Sequence, residues 1–421
     1  MKTTALLVPI LIGASVTGFA QQTAAPPPQA PTAAGLVAEQ TYPFTYTATE
    51  LGGPGGDLLR RETADSQFVL FGEDHLDHEI PIFAGALFSM LHQAHGFRHL
   101  VVEQDPVAIE DALEPGLRGD VERIAARAAR YPSLYEFDSD EDLTLVADVG
   151  RLLGTPEAIW GVEQATGAAR YLEELVTLAP GADVRRQAEA LLAEARAADP
   201  GPNYSVNWLA TVSTEGKVAA LSAAFAAAPG SRAARLLDGL VKSAEIFGYY
   251  TRGEAGEFVG LYNNTVREEV LKANFLQRYH AAARTDPMPK AMFKFGAYHM
   301  YHGKSPTQAF PIGNLAHELA IVNGRRAYGV MVQQLGEGYV SYKDLPAWLL
   351  PLLPAAEPTV PTLVNLRELR RFQRLFSEGV DPGSRWLQRA VLHGFDAIVL
   401  LPNSRPSVKT LGGRGTPAPP R

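Results

Sequence analysis

Apolar residues in this chain gather in short unbroken runs rather than alternating with polar ones. The runs are FVLFG (68–72), HLVVE (99–103), AIWGV (158–162), AMFKFGA (291–297), AYGVMV (327–332) and FDAIVLL (395–401). Nearly continuous runs of this length, rich in β-branched and aromatic residues, predict strands buried on both faces, hence a mainly parallel sheet covered by helices. Helix-period segments lie between them, among them IPIFAGALFSMLHQAH after the first run. The Ala-rich span from about 167 to 285 carries helical patterns and no convincing strand, and reads as a helical insertion between the third and fourth strands. The proline-rich piece LPAWLLPLLPAAEPTVP (345–361) reads as a loop or surface wrap. No repeat of fixed period is present. The expected fold class is α/β, with a mainly parallel central sheet flanked by helices.

The two ends break this pattern. MKTTALLVPILIGASVTGFA has a lysine, an apolar stretch and a small-residue site, the layout of a signal peptide cleaved after Ala20; an uncleaved anchor is the alternative. QQTAAPPPQAPTAAG (21–35) reads as an Ala/Pro-rich linker, 36–407 as the α/β domain, and 408–421 as a disordered tail. The expected location is periplasmic or secreted. No window is long and apolar enough for a stable membrane span. With 421 residues and no cysteine, disulfides and thiol chemistry are excluded. A formal charge of -8, with no basic block, argues against a nucleic-acid partner. A small molecule or a peptide is the expected substrate, and oligomeric state is left open.

Charge interrupts the apolar runs at one kind of place. Strand one ends in Gly72-Glu73-Asp74-His75, with His78 close behind; strand two ends in Glu103, strand three in Glu163, and strand four in Gly296-Ala297-Tyr298-His299, followed by His302. Strand ends at the carboxyl edge of an open parallel sheet are where such folds build sites. Of ten histidines, five lie in 75–99 and four in 280–317, leaving His393 apart. Asp74 or Asp77 could instead cap the following helix, and a strand-end glutamate could serve a helix dipole. His92, His95, His280 and His317 read as helix-face residues. No Gly-x-Ser-x-Gly elbow, phosphate loop, dinucleotide fingerprint or His-Glu-x-x-His is present, so the Glu-plus-His inventory points to activation of water, with or without a metal.

The paired Gly-x-x-His motifs, GEDH (72–75) and GAYH (296–299), with Glu103 after the second strand, resemble the superfamily that joins erythromycin esterases, ChaN-like proteins, TraB and the Tiki proteins. REEVLKANF (267–275), PIGNLAHEL (311–319) and FDAIVLLPNSRPS (395–407) are similar to further segments of the erythromycin esterase branch, so the resemblance spans roughly 65 to 407. One departure is that His75 follows Glu73 by two residues, as in ChaN and TraB, where the esterase branch has three; His78 is available to stand in. The resemblance implies a hydrolase acting on an ester, lactone or amide. Glu73 or His75 would activate water, Glu103 and His299 would lie across the crevice, and Arg267 would stabilise an oxyanion. Asp74, His78, Glu163, Arg267, Tyr298 and His302 would line the substrate side. ChaN-like members are associated with haem or iron, which would use a histidine or Tyr298 as axial ligand, and TraB and Tiki with metal-dependent peptide cleavage. The cofactor therefore stays open among none, a divalent metal and haem.

Overall fold

A computed structural model describes residues 31–131, 139–198, 208–210, 214–251, 259–336 and 339–413. The leader at 1–20, most of the linker and residues 414–421 lie outside the described residues. Eight strands form one sheet: β1 (Thr41–Pro43), β2 (Ser66–Glu73), β3 (His99–Val102), β4 (Ile159–Gly161), β5 (Ala291–Gly296), β6 (Arg326–Gln334), β7 (Thr362–Asn365) and β8 (Ala397–Leu401). Their order is β1-β7-β8-β6-β2-β5-β3-β4. The six strands expected from apolar runs are all present and pair in parallel, with Glu73 abreast of Gly296 and Val102 abreast of Lys294. β7 and β1 add an antiparallel edge that the apolar pattern does not announce.

The principal helices are α1 (Glu79–His95), α2 (Pro106–Ala112), α3 (Asp140–Leu153), α4 (Ala169–Leu178), α5 (Ala182–Ala198), α6 (Thr214–Phe225), α7 (Arg232–Thr251), α8 (Val259–Ala282), α9 (Ile312–Val322) and α10 (Arg385–Gly394). Local chemistry places their ends. Asp77 Oδ1 accepts the N–H groups of Glu79 and Ile80 at the start of α1, which settles which aspartate caps. Gly96, at φ 72°, ends that helix in the left-handed region. Ser139 caps α3 by accepting from the Asp142 N–H.

Side chains alternate across each strand, so each face builds its own core. One face packs Val69, Phe71 and Met292 against α1 and α3; the other packs Phe68, Phe293 and Phe295 against α8, α9 and α10. All described elements between β4 and β5 are helical, and α4 to α7 enclose a separate apolar cluster including Leu172, Leu192, Leu221 and Leu240. Two boundary readings change. A helix spanning Ala33–Glu39 begins inside the stretch read as linker and buries Leu36 and Val37. The tail read as free from 408 is tied down at its start: Asp140 accepts the N–H groups of Thr410 and Leu411, and Glu141 accepts that of Val408. The segment 345–361 is a wrap whose leucines, among them Leu349, Leu352 and Leu353, join the core. Among the described residues no helix is long and apolar enough to cross a membrane.

Candidate functional site

Four neighbouring parallel strands, β2, β5, β3 and β4, deliver their carboxyl ends to one place. Each Gly-x-x-His glycine makes room for the other motif. A Cβ on Gly296 would sit 2.9 Å from His75 Nε2 and 3.3 Å from Glu103 Oε2, while one on Gly72 would meet Ala297 Cα at 3.1 Å. The two glycines therefore let two strand ends, each with its histidine, close onto each other.

The constellation is centred on Glu103. Its Oε1 accepts from Arg267 Nη2 at 2.6 Å and lies 3.3 Å from His299 Nε2; its Oε2 accepts the Gly296 N–H at 2.6 Å and lies 3.3 Å from His75 Nε2. Arg267, on α8, also clasps Glu163, its Nε 3.1 Å from each carboxylate oxygen. Asn274, two turns further along α8, donates to the Val162 carbonyl at 2.9 Å and fixes the end of β4. His75 Nδ1 is 3.0 Å from Glu73 Oε1, so this imidazole stands between two carboxylates. His299 is held the same way, with Nδ1 2.5 Å from Glu268 Oε1 and Nε2 facing Glu103.

Electrostatics separates the groups. Burial works against the charge on His299, but the carboxylates of Glu103 and Glu268 outweigh it and push this histidine up to about 10. Burial would likewise neutralise Glu103, yet His299 and His75 hold it well below the usual carboxylate range. Glu73 is also buried and also held low, here by Lys294 and His75. Five carboxylates (Glu73, Glu103, Asp142, Glu163 and Glu268) thus face Arg267, Lys294 and the cationic His299, and the His75 imidazole stands between two of them. His75 is also the more accessible imidazole, its side chain 17% exposed against 9% for His299.

The structure therefore brings together Glu73, His75, Glu103, Glu163, Arg267 and His299. The rest lie at the rim of this cluster or away from it. Asp74 is exposed at the end of β2, and Tyr298 is largely exposed on the turn after β5. His78 turns away to Glu141, with Nδ1 2.5 Å from Oε1, and its Nε2 meets Arg405. His302 stacks on His317 with ring centroids 4.3 Å apart and lies 3.9 Å from Glu318. Arg267 is engaged by two carboxylates rather than standing ready for an oxyanion. Sequence reading missed Glu268, Lys294 and Asp142. Lys294 donates to Glu73 at 2.8 Å and to Asp142 at 2.9 Å, and Glu268 Oε2 accepts the Ile312 N–H that opens α9.

No group of three or more His, Asp or Glu among the described residues is arranged to hold a metal ion. Both ring nitrogens of His75 and of His299 face carboxylates, so neither histidine fits the role of haem axial ligand. Beside the constellation lies a cavity of about 620 Å³, walled by Glu163, Gln164, Tyr171, Arg232, Val266 and Asn274. It opens between the insertion helices α4, α7 and α8 and the short α2.

Fold and site together define a class: an open, mainly parallel α/β sheet with a buried Glu–His–Arg cluster at its carboxyl edge. No family model matches the chain, and no curated protein matches it. Solved structures do share its fold. A protein from Bacillus cereus aligns over 89% of this chain and 98% of its own, with a TM-score of 0.52 and 12% identity. A variant of erythromycin esterase EreC in its open conformation covers 86% and 98%, with a TM-score of 0.52 and 14% identity. A succinoglycan biosynthesis protein covers 89% and 97%, with a TM-score of 0.54 and 14% identity. At these identities the likeness is one of fold.

Proposed function

We propose that the protein is a hydrolase of the erythromycin-esterase-like type, opening an ester, lactone or amide bond with a water activated by His75. The observation that carries this reading is the accessible imidazole of His75 between two buried carboxylates, at 3.0 and 3.3 Å. Glu73 faces Nδ1 at 3.0 Å and Glu103 faces Nε2 at 3.3 Å, so the attacking water would approach Nε2 beside the Glu103 carboxylate. As the water oxygen bonds to the carbonyl carbon, its proton passes to Nε2, and Glu103 neutralises the imidazolium that forms. Collapse of the tetrahedral adduct breaks the bond to the leaving oxygen or nitrogen, which takes the proton back from His75. Arg267 and the cationic His299 pair with Glu103 and keep it ionised.

The cavity, which Glu163 lines from the constellation, is within the size range of small-molecule sites and mixes apolar with polar walls, which supports a small molecule bound under the insertion helices next to the cluster. The name of the fold neighbour EreC supports an ester or lactone ahead of an amide. The test is a panel of aryl esters, lactones and anilides offered to the purified protein and to His75→Ala. Turnover that falls on the order of 10²-fold or more in the variant is expected. No turnover of any panel member by the parent, or equal turnover by both, overturns the proposal.

A further inference from the structure

Lys294 sits in the middle of β5 among apolar neighbours, with its side chain 1% exposed. An ammonium is costly to bury, and a well-packed apolar residue at such a position is often as stable or more so. Its contacts lead toward the site. Nζ donates to Asp142 Oδ1 at 2.9 Å and to Glu73 Oε1 at 2.8 Å, and that same Glu73 oxygen faces His75 Nδ1. Asp142 is steadied in turn by the Ser139 hydroxyl, which donates to Oδ2 at 2.7 Å. A file of groups thus runs from the cap of α3, through the core, to the back of the imidazole. Burial pushes Asp142 up and would lower Lys294, but their mutual charges and Glu73 raise the lysine.

We propose that Lys294 and Asp142 are positioning residues for proton transfer: acting through Glu73, they fix the orientation of His75 and the pH range in which it works. This inference rests on the reading of His75 as the proton carrier. The charged groups facing the Glu73–His75 pair are Asp74 beside it in the chain, Lys294 from β5, Glu103 after β3, Arg267 from α8 and His299 after β5, with Asp142 from α3 behind Lys294. Lys294 and Asp142 are almost wholly buried, with side chains 1% and 3% exposed, so the substitutions act on Glu73 from within the core. Their charges oppose each other. Removing the lysine's positive charge strengthens the hold of the pair on its proton, and removing the aspartate's negative charge weakens it.

The experiment compares the full-length parent with Lys294→Met, Asp142→Asn and the double variant Lys294→Met/Asp142→Leu. It reads kcat/KM against pH with an aryl ester, and the His75 ring titration by NMR, assigned with His75→Gln. The acidic limb and the ring titration are expected to move up by about one pH unit in Lys294→Met and down in Asp142→Asn, with the double variant near the parent. Movement in the same direction, or lowered kcat with an unmoved limb, means a merely structural role and overturns the inference. If Lys294→Met does not fold, Asp142→Asn decides: a downward shift supports and an unmoved titration refutes. Absence of ester hydrolysis in the parent defeats the functional reading instead, because the NMR titrations still report the coupling.

Discussion

His75 and His299 close the same four-residue motif at two adjacent strand ends, share Glu103 and each face a second glutamate, and differ in their exposure and in what holds that second glutamate. His299 is wedged between Glu103 and Glu268, and Glu268 is itself pinned by the first N–H of α9. Its charge is part of the architecture. His75 reaches solvent, and its inner carboxylate is tied to a lysine rather than to a helix end. The contrast teaches that a Gly-x-x-His spacing specifies where an imidazole sits and not what it does. The second carboxylate, and what holds that carboxylate, separates the wedged His299 from the more accessible His75.

That contrast can be broken most directly at His75. His75→Ala should cost on the order of 10²- to 10⁴-fold in kcat/KM, and it should also lower the melting temperature, because it leaves the buried Glu73 and Glu103 carboxylates without the imidazole between them. Glu103→Gln should damage both halves: it leaves Arg267 and His299 short of a counter-charge, and denaturant unfolding should show a loss approaching about 3 kcal/mol. Gly296→Ala drives a methyl into the space of His75 Nε2, and steady-state kinetics should show a loss of roughly tenfold to a hundredfold, with the fold retained by circular dichroism. His299 sharpens the comparison through pH. Its folded value of about 10 lies above the unfolded value of about 6.5, so its contribution to stability is complete below the latter and lost as pH rises through the former. Melting temperature should therefore fall between these limits in the parent, and His299→Gln should flatten that slope. His302→Ala, outside the constellation, should leave kcat/KM within about twofold; a larger loss would redraw the site.

The parallel strands were legible because each is a nearly continuous apolar run, and their ends located Glu73, Glu103, Glu163 and His299. The edge strands Thr41–Pro43 and Thr362–Asn365 were not, being short and flanked by proline. Clustering of histidines along the chain overstated convergence: His78 and His302 leave the sheet on loops and find partners there. Lys294 did carry a signal, since a lysine inside AMFKFGA is as anomalous as a glutamate closing FVLFGE. Asp142 carried none, because Ser-Asp-Glu-Asp before an apolar helix is fully explained by capping. Glu268 was hidden beside Arg267, where only the geometry of α8 distinguishes one charged neighbour from the next.

The bond between Lys294 and Glu73 joins residues 221 positions apart, and that separation becomes a delay when the chain is made. At about 5–20 residues per second, Glu73 emerges from the ribosome roughly 10–45 s ahead of its lysine. Throughout that interval the Phe-Val-Leu-Phe segment has been made and β5 has not, and its composition is that of an aggregating strand. The carboxylate that the finished protein buries is at that stage a solvated charge at the end of the segment, the placement by which natural chains discourage such strands from pairing with one another. The same glutamate would then serve the nascent chain as a guard before it serves the folded protein as a partner for His75.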